Sequence, residues 1–385
     1  MSSSLLRPIL VRAASLGAVL IIVLVLLVLT LGATGYSDRI LEAQIGEELR
    51  ILRTGLSETV TDPDAVEEII ATQRAELEES YGLDQPWFQR LPAVVAQVLV
   101  FDLGEARSIR AADGSNSVAD IILERLPRTV MLLTTALIIN AVIGLTVGVW
   151  LSTRPGSRAD RFVSYVAAIT NGLPAWWAGI LLILIFSFWL RILPSGGMYS
   201  TPPPEGAIAS FLDLAWHALL PIFTLVLVSI GPSIYVIRTM TLNVALQDHV
   251  TVARAKGLPE GLVRRRHILR VAAPPIVTGL ILGLAATLGG AILIETVFAW
   301  EGMGQLYFKT FSGQPDESII IGLTFMFTLI NVGARLLLEI LNVFLDPRVR
   351  YELDNAATCA RYWPRPRAST AWPWPCCWRR GRLSC

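Results

Sequence analysis

Six separate stretches of this chain are apolar over roughly the 20 residues a helix needs to cross a bilayer. They occupy residues 13–33, 130–151, 173–190, 218–237, 271–294 and 319–345. The first five hold no Asp, Glu, Lys or Arg in their interiors, and Glu295 lies just past the end of the fifth. The sixth holds Arg335 and Glu339, four apart on one helix face and so placed to pair. The expected fold is therefore all-α, a polytopic membrane protein of six transmembrane helices. Composition agrees. Only 16% of residues are charged, against about 25% in soluble domains. With 32 Lys+Arg against 31 Asp+Glu, the formal charge of +1 also argues against a nucleic-acid partner.

Arg7 and Arg12 precede the first apolar run, as in a signal peptide, but the run is long and no A-x-A site follows. It is expected to be an uncleaved anchor. Orientation follows from loop Lys and Arg. Arg154, Arg158 and Arg161 follow the second segment. Arg254, Lys256, Arg264, Arg265, Arg266 and Arg270 follow the fourth, and Arg348 and Arg350 the sixth. These are alternate loops, so one side gathers the positive charge, and both termini are expected in the cytoplasm.

The chain divides into residues 1–33, the tail and first helix; 34–128, a long extracytoplasmic segment; 129–352, a five-helix core; and 353–385, an atypical tail. The 34–128 segment is acidic, with Glu47, Glu48, Glu67, Glu68, Glu76, Glu78 and Glu79 among its residues. A loop of that length needs structure of its own. Apolar spacing predicts helices over 40–56 and 64–79, and Thr61-x-x-Asp64 with Asp62-Pro63 predicts a helix start near 63.

Several chemistries lack their signatures. There is no phosphate-binding G-x-x-x-x-G-K-[ST], no H-E-x-x-H and no G-x-S-x-G. His217, His249 and His267 are not spaced as a ligand set. The apolar segments hold few polar residues, Asn140, Thr146, Ser187, Thr224, Ser229 and Thr287. They read as helix-packing residues, alongside Gly144, Gly148, Gly283, Gly289 and Gly290. Carriers driven by protons or sodium usually place acids at the midplane. The driving energy is therefore expected from another chain.

The most distinctive segment is the basic loop within 239–271. Residues 240–256 are predicted as one helix, ended by Gly257 in a left-handed conformation. Pro259 and Glu260 suit the first turn of a short second helix. Pro274-Pro275 is expected to mark the entry to the fifth span. A helix, glycine and short basic helix on one face form a docking device.

The run Ala253-Arg254-Ala255-Lys256-Gly257-Leu258-Pro259-Glu260, continued by His267, Leu269, Arg270 and Pro275, resembles the EAA-motif loop of ABC importer permeases. The likeness is to the B-type subunit of the oligopeptide/dipeptide/nickel branch. Other blocks agree in order: Gly82-Leu83-Asp84-Gln85-Pro86, Glu124-Arg125-Leu126-Pro127-Arg128-Thr129, Leu193-Pro194-Ser195-Gly196-Gly197, Glu295-Thr296-Val297-Phe298-Ala299-Trp300 and Leu345-Asp346-Pro347-Arg348-Val349-Arg350-Tyr351. The usual Glu-Ala at the motif start is Thr251-Val252 here, and Pro259 stands where Ser is frequent. The resemblance covers about residues 5–352.

The resemblance implies an inner-membrane permease subunit of an ATP-driven peptide importer. Its implied partners are a second, homologous permease, two ATPase subunits and an extracytoplasmic substrate-binding protein. ATP would be bound by the ATPase subunits, and this chain would carry no cofactor, metal or catalytic residue of its own. The coupling loop would comprise residues 253–260 with Arg264, His267 and Arg270, its docking helix lying after Gly257. Importers of nickel, opines or sugars in the same branch are the rival reading. An intramembrane enzyme or assembly scaffold is the rival from another class.

Past Glu352 the composition changes to Trp, Arg, Pro and Cys, and all four cysteines lie here: Cys359, Cys376, Cys377 and Cys385. The tail reads as GC-rich sequence out of frame, or else as a membrane-surface anchor using Trp and Arg.

Overall fold

The computed structural model describes residues 3–345 apart from 60–61, 84, 107–108 and 313–315. At 3–9, 57–59, 284–290 and 341–345 it describes the backbone alone. The tail at 353–385, the block from Asp346 to Tyr351, Thr61, and the side chains of Thr287, Gly289 and Gly290 lie outside the described residues.

The chain is a helical bundle in which secondary structure other than helix is limited, among the described residues, to one bridge between Glu105 and Ser117. In a bilayer a helix satisfies its own backbone polar groups, which is why apolar runs of this length take that form. Helix α1 is Ser3–Ala33. Its Leu20, Leu24, Val28 and Leu31 form a buried stripe at helical spacing, while Val19, Ile22 and Leu26 stay exposed on the other side. The stripe packs in one cluster with Ile320, Leu323 and Phe325 of the last helix.

Three helices, α2 (Tyr36–Thr59), α3 (Pro63–Ser80) and α4 (Trp87–Leu99), form the lobe. The first two agree with the sequence expectation. The cap of α3 is Asp62, whose carboxylate accepts the Asp64 N–H at 3.1 Å, with Pro63 following. Helix α4 was not anticipated; its start places Trp87 against Gly32 of α1. The Ser37 hydroxyl donates to Glu317 at 2.7 Å, and so ties the lobe to the start of the last helix.

Helix α5 (Val118–Ser152) has 35 residues, about 50 Å at 1.5 Å per residue. It therefore joins the lobe end of the bundle to the opposite end. Next come α6 (Arg158–Asn171) and α7 (Ala175–Ile183), the latter continuing as a π-helical turn over Leu184–Trp189. The segment expected at 173–190 as one span is thus a short helix, bent by 97° against α6. The cause is local. Pro174 has no N–H to continue α6 and pushes Leu173 towards extended backbone.

Helix α8 runs Ala207–Ala245 and α9 Asp248–Ala255. The three-residue α10 (Glu260–Leu262) passes through a π-helical stretch, Val263–Leu269, into α11 (Arg270–Val297). Helices α12 (Met303–Ser312) and α13 (Glu317–Leu345) complete the chain. Among the described residues, four helices are long and apolar enough to cross a membrane: Leu10–Ala33, Val118–Ser152, Ala207–Ala245 and Glu317–Ile340. The bent α6–α7 pair makes a fifth if it counts as one span. Helix α11, with 28 residues, carries the apolar segment expected at 271–294.

The ion pair expected between Arg335 and Glu339 does not form. Glu339 instead meets Arg12, because α1 lies lengthwise along α13 and brings a cation to the same carboxylate. Of the intramembrane polar residues, Asn140 bonds Ser229. Thr146 and Thr224 return their protons to carbonyls four residues back in their own helices. Ser187 donates to the Pro194 carbonyl at 3.0 Å.

At the lobe end, α12 begins on a buried carboxylate. Glu295 is fully buried, and its Oε2 accepts the N–H groups of Gly304 at 2.7 Å and Gln305 at 3.1 Å. Thr129 of α5 accepts the Met303 N–H at 2.8 Å. The first N–H groups of a helix lack internal partners, and an anion there also meets the positive end of its dipole. Glu295→Ala is expected to lower stability by about 3 kcal/mol, because two buried donors lose their acceptor. Glu295→Gln, which keeps an oxygen acceptor, should lose less. Thermal unfolding of the purified protein in detergent checks both.

Candidate functional site

The basic loop connects the ends of α8 and α11 at the face of the bundle opposite the lobe. Its helices differ from the sequence reading in three ways. Residues 240–256 are not one helix, because α8 ends at Ala245 and α9 starts at Asp248, with Gln247 extended at ψ 150°. The acidic Asp248 favours a helix start there by meeting the N-terminal dipole. The separate short helix is therefore α9, before Gly257, not the segment after it. That later segment runs without a break into α11, so Pro274 and Pro275 lie inside a helix rather than at its entry. Pro259 precedes the first helical turn, with Glu260 as its first residue.

Gly257 does close α9. Its φ is +72°, and the N–H groups of Gly257 and Leu258 return to the carbonyls of Arg254 and Ala253. A Cβ there would meet nothing within 4 Å, so glycine is required by backbone conformation and not by crowding.

An apolar underside anchors the loop. Val250 and Ala253 of α9, with Val263 and Ile268 of the π-helical stretch, are buried against Val149, Ile237, Val244, Ala272 and Ile276. Helix α9 packs directly on the π-helical stretch Val263–Leu269, and through this shared cluster it is joined to residues of α5, α8 and α11. The His249 ring nitrogen donates to the His267 carbonyl at 3.0 Å and stitches α9 to the segment that leads into α11. His267 is half-buried and serves through its backbone.

The upper surface is cationic. Arg254, Lys256, Arg264, Arg265, Arg266 and Arg270 are all exposed. Arg254 and Glu260 pair across the Gly257 turn at 2.8 and 3.2 Å. Hydrogen bonding to Arg254 holds the Glu260 carboxyl below its ordinary range, and the bond in turn raises Arg254. Ala255, Leu258 and Pro259 complete the run, with Leu258 packed on the apolar underside.

One element that fixes the loop was missed from sequence. Asp160 of α6 is buried and faces Arg238 of α8, whose Nη2 donates to Oδ2 at 2.7 Å. The Gly156 N–H adds a 2.8 Å bond to the same oxygen. Above this pair, Gly231 lets α8 touch α6, where a Cβ would stand 2.6 Å from Thr170 Oγ1 and 2.8 Å from Ala167 Cα. Arg238 just past an uncharged span reads as a positive-inside residue, and nothing in the spacing points to Asp160, 78 positions earlier.

Comparison with known proteins is specific. The profile of binding-protein-dependent transport system inner membrane components matches residues 144–351, and the chain belongs to that family. It is a multi-pass inner-membrane subunit of a binding-protein-dependent transport system. An oligopeptide transport system permease protein of Bacillus subtilis is 28% identical over 321 residues, 83% of this chain and 95% of the relative. A putative peptide permease protein of Brucella ovis is 34% identical over 292 residues, covering 73% and 86%. A di/tripeptide transport system permease protein of Pseudomonas aeruginosa is 30% identical over 292 residues, covering 72% and 85%.

The Arg254–Glu260 pair is exposed, so Arg254→Ala should change stability by less than about 1 kcal/mol. The sign of its pH dependence follows from the lowered carboxyl. The contribution is present above the ordinary glutamate range and is lost as pH falls through the lowered folded value. Glu260→Gln should remove that acid-side loss in thermal melts taken across the acidic range.

Proposed function

We propose that the chain is the permease subunit of an ATP-driven peptide importer, forming half of the translocation pathway with a homologous second permease. Two ATPase subunits bind the nucleotide, and this chain carries no cofactor of its own. An extracytoplasmic binding protein delivers the peptide at the lobe side. The basic loop and both termini face the cytoplasm.

The observation that carries this reading is α9, a short helix with breaks on both sides that packs on the segment leading into α11 and shares one apolar cluster with residues of α5, α8 and α11. An ATPase that grips α9 moves three spanning helices with it, which is what alternating access requires. Residues 253–260 with Arg264, His267 and Arg270 supply the loop. The docking helix itself is assigned to α9, and Arg264–Arg266 supply a cationic border beside it. The names of the relatives support peptides as the cargo. The ligand of the binding protein that functions with this chain discriminates peptides from nickel, opines or sugars.

Uptake and ATP hydrolysis by the reconstituted four-chain complex test the coupling. At φ +72° aspartate is among the tolerated side chains and valine is not. Gly257→Asp should weaken coupling moderately and Gly257→Val severely, with ATP hydrolysis continuing while uptake falls. Wild-type uptake by the Gly257→Val complex would sink the assignment. The orientation has its own check. Residues 1–358 contain no cysteine, so with Cys359, Cys376, Cys377 and Cys385 replaced by serine, single cysteines at Lys256 and Glu67 should label from the cytoplasmic and external sides respectively with a membrane-impermeant maleimide.

A further inference from the structure

A cleft runs between α5, α8 and α11. Its inner part is a cavity of about 300 Å3, lined by Asn140 of α5, Ser229 and Ser233 of α8, and Gly279 and Gly283 of α11. A second cavity of about 220 Å3, between Pro232 and Met240 on one side and Pro275 and Ile276 on the other, shares Ser233, Gly279 and Leu280 with the first. The two are contiguous. The lower one reaches Ile237 and Ile276, which belong to the apolar cluster under α9. The cleft therefore leads from the middle of the bundle to the loop. Gly279 and Gly283 lie four apart on one helix face, and a Cβ at either would meet nothing within 4 Å.

Asn140 is the polar feature that stands out in this wall. It is 6% exposed and sits in the middle of the apolar segment of α5. Its Nδ2 donates to Ser229 Oγ, and Ser229 in turn gives its proton to the Leu225 carbonyl. The serine oxygen can then only accept, which sets the orientation of the amide. Asn140 Oδ1 is left buried with no hydrogen-bond partner. An acceptor without a donor is unfavourable in an apolar interior; Oδ1 itself is covered, but Asn140 lines the cavity, so a turn of its side chain brings the oxygen to a donor that enters the cleft.

The geometry points to Asn140 as a peptide-backbone acceptor within the translocation path. Resting on the peptide-importer reading above, it assigns Oδ1 to an amide N–H of the passing peptide. An extended peptide presents free backbone N–H groups. A helix of the second permease lodged in the cleft would not, because its N–H groups are already bonded within the helix. Among the described residues, no ionisable side chain lines either cavity, so the cleft does not select for side-chain charge. Small and apolar walls leave room for varied side chains, and one hydrogen bond reads the group that all peptides share. A single contact is also weak enough to release its cargo, as conduction requires.

The test uses the complete complex in proteoliposomes, with its binding protein and two probes: tri-alanine, and tri-alanine methylated on its backbone amide nitrogens. The binding protein is common to all arms, so a difference between permeases reads the permease. Wild type should move tri-alanine faster than the methylated probe. Asn140→Leu should slow tri-alanine about five- to tenfold and leave the methylated probe nearly unchanged. An unaltered preference in Asn140→Leu overturns the assignment. Gly279→Leu fills the opposite wall and should block both probes; full uptake by this variant overturns the assignment as well, and it decides the matter if Asn140→Leu does not assemble. Wild type that hydrolyses ATP in response to its binding protein but moves no tri-alanine overturns the peptide reading itself, and the subsite with it.

Discussion

Helices inside a bilayer gain little from hiding apolar surface from one another, because lipid tails are equally apolar. They associate where backbones approach closely. In this protein the closest approaches are at glycine. A Cβ on Gly148 of α5 would stand 3.1 Å from the Ile234 carbonyl and 3.2 Å from the Arg238 nitrogen of α8. Gly231 makes the corresponding contact between α8 and α6. Helices α5, α6 and α8 are thereby joined as one body, and the buried Asp160–Arg238 pair secures it at the loop end. A buried ion pair of this kind contributes less to net stability than to uniqueness of arrangement, since desolvation offsets much of its attraction. Its value here lies in making α6 follow α8.

The two ends of the bundle are built on different chemistry. At the lobe end, carboxylates do the joining. Glu295 organises the start of α12, Glu317 receives Ser37, and Glu301 accepts from Arg125 and Arg128 at 3.1 and 3.0 Å. At the loop end, apolar side chains hold the underside while cations face outward. Between the two ends the wall is apolar, with the cleft at Asn140 as its polar interruption.

Much of this was readable in the sequence, and the exceptions share a cause. Apolar run length located five of the six expected segments on long helices, though not the bent one at 173–190, and Asp62-Pro63 located the start of α3, because both signals are local. Glycine at 257 announced its left-handed turn for the same reason. The break at 246–247 went unread because Leu246-Gln247 contains no strong breaker. There, the burial of Val250 and Ala253 in one apolar cluster with Val263 and Ile268 sets the direction of α9. Arg335 and Glu339 had the right spacing for a pair, yet a competing cation arrived from α1. Pro274-Pro275 looked like a boundary, and packing of Ala272 and Ile276 keeps the helix running through it.

By itself the sequence determined that the chain is helical, crosses the membrane several times, carries a basic loop with a glycine-closed helix, and resembles importer permeases. Each of these rests on neighbours along the chain, where run length, charge and backbone freedom act directly. Only the tertiary structure decided which short helix stands free, that Asp160 meets Arg238, that Glu295 seats α12, and that Asn140 is left with an open acceptor. Those outcomes depend on residues tens to hundreds of positions apart arriving at one point, and on which of several possible partners packing brings within hydrogen-bond distance.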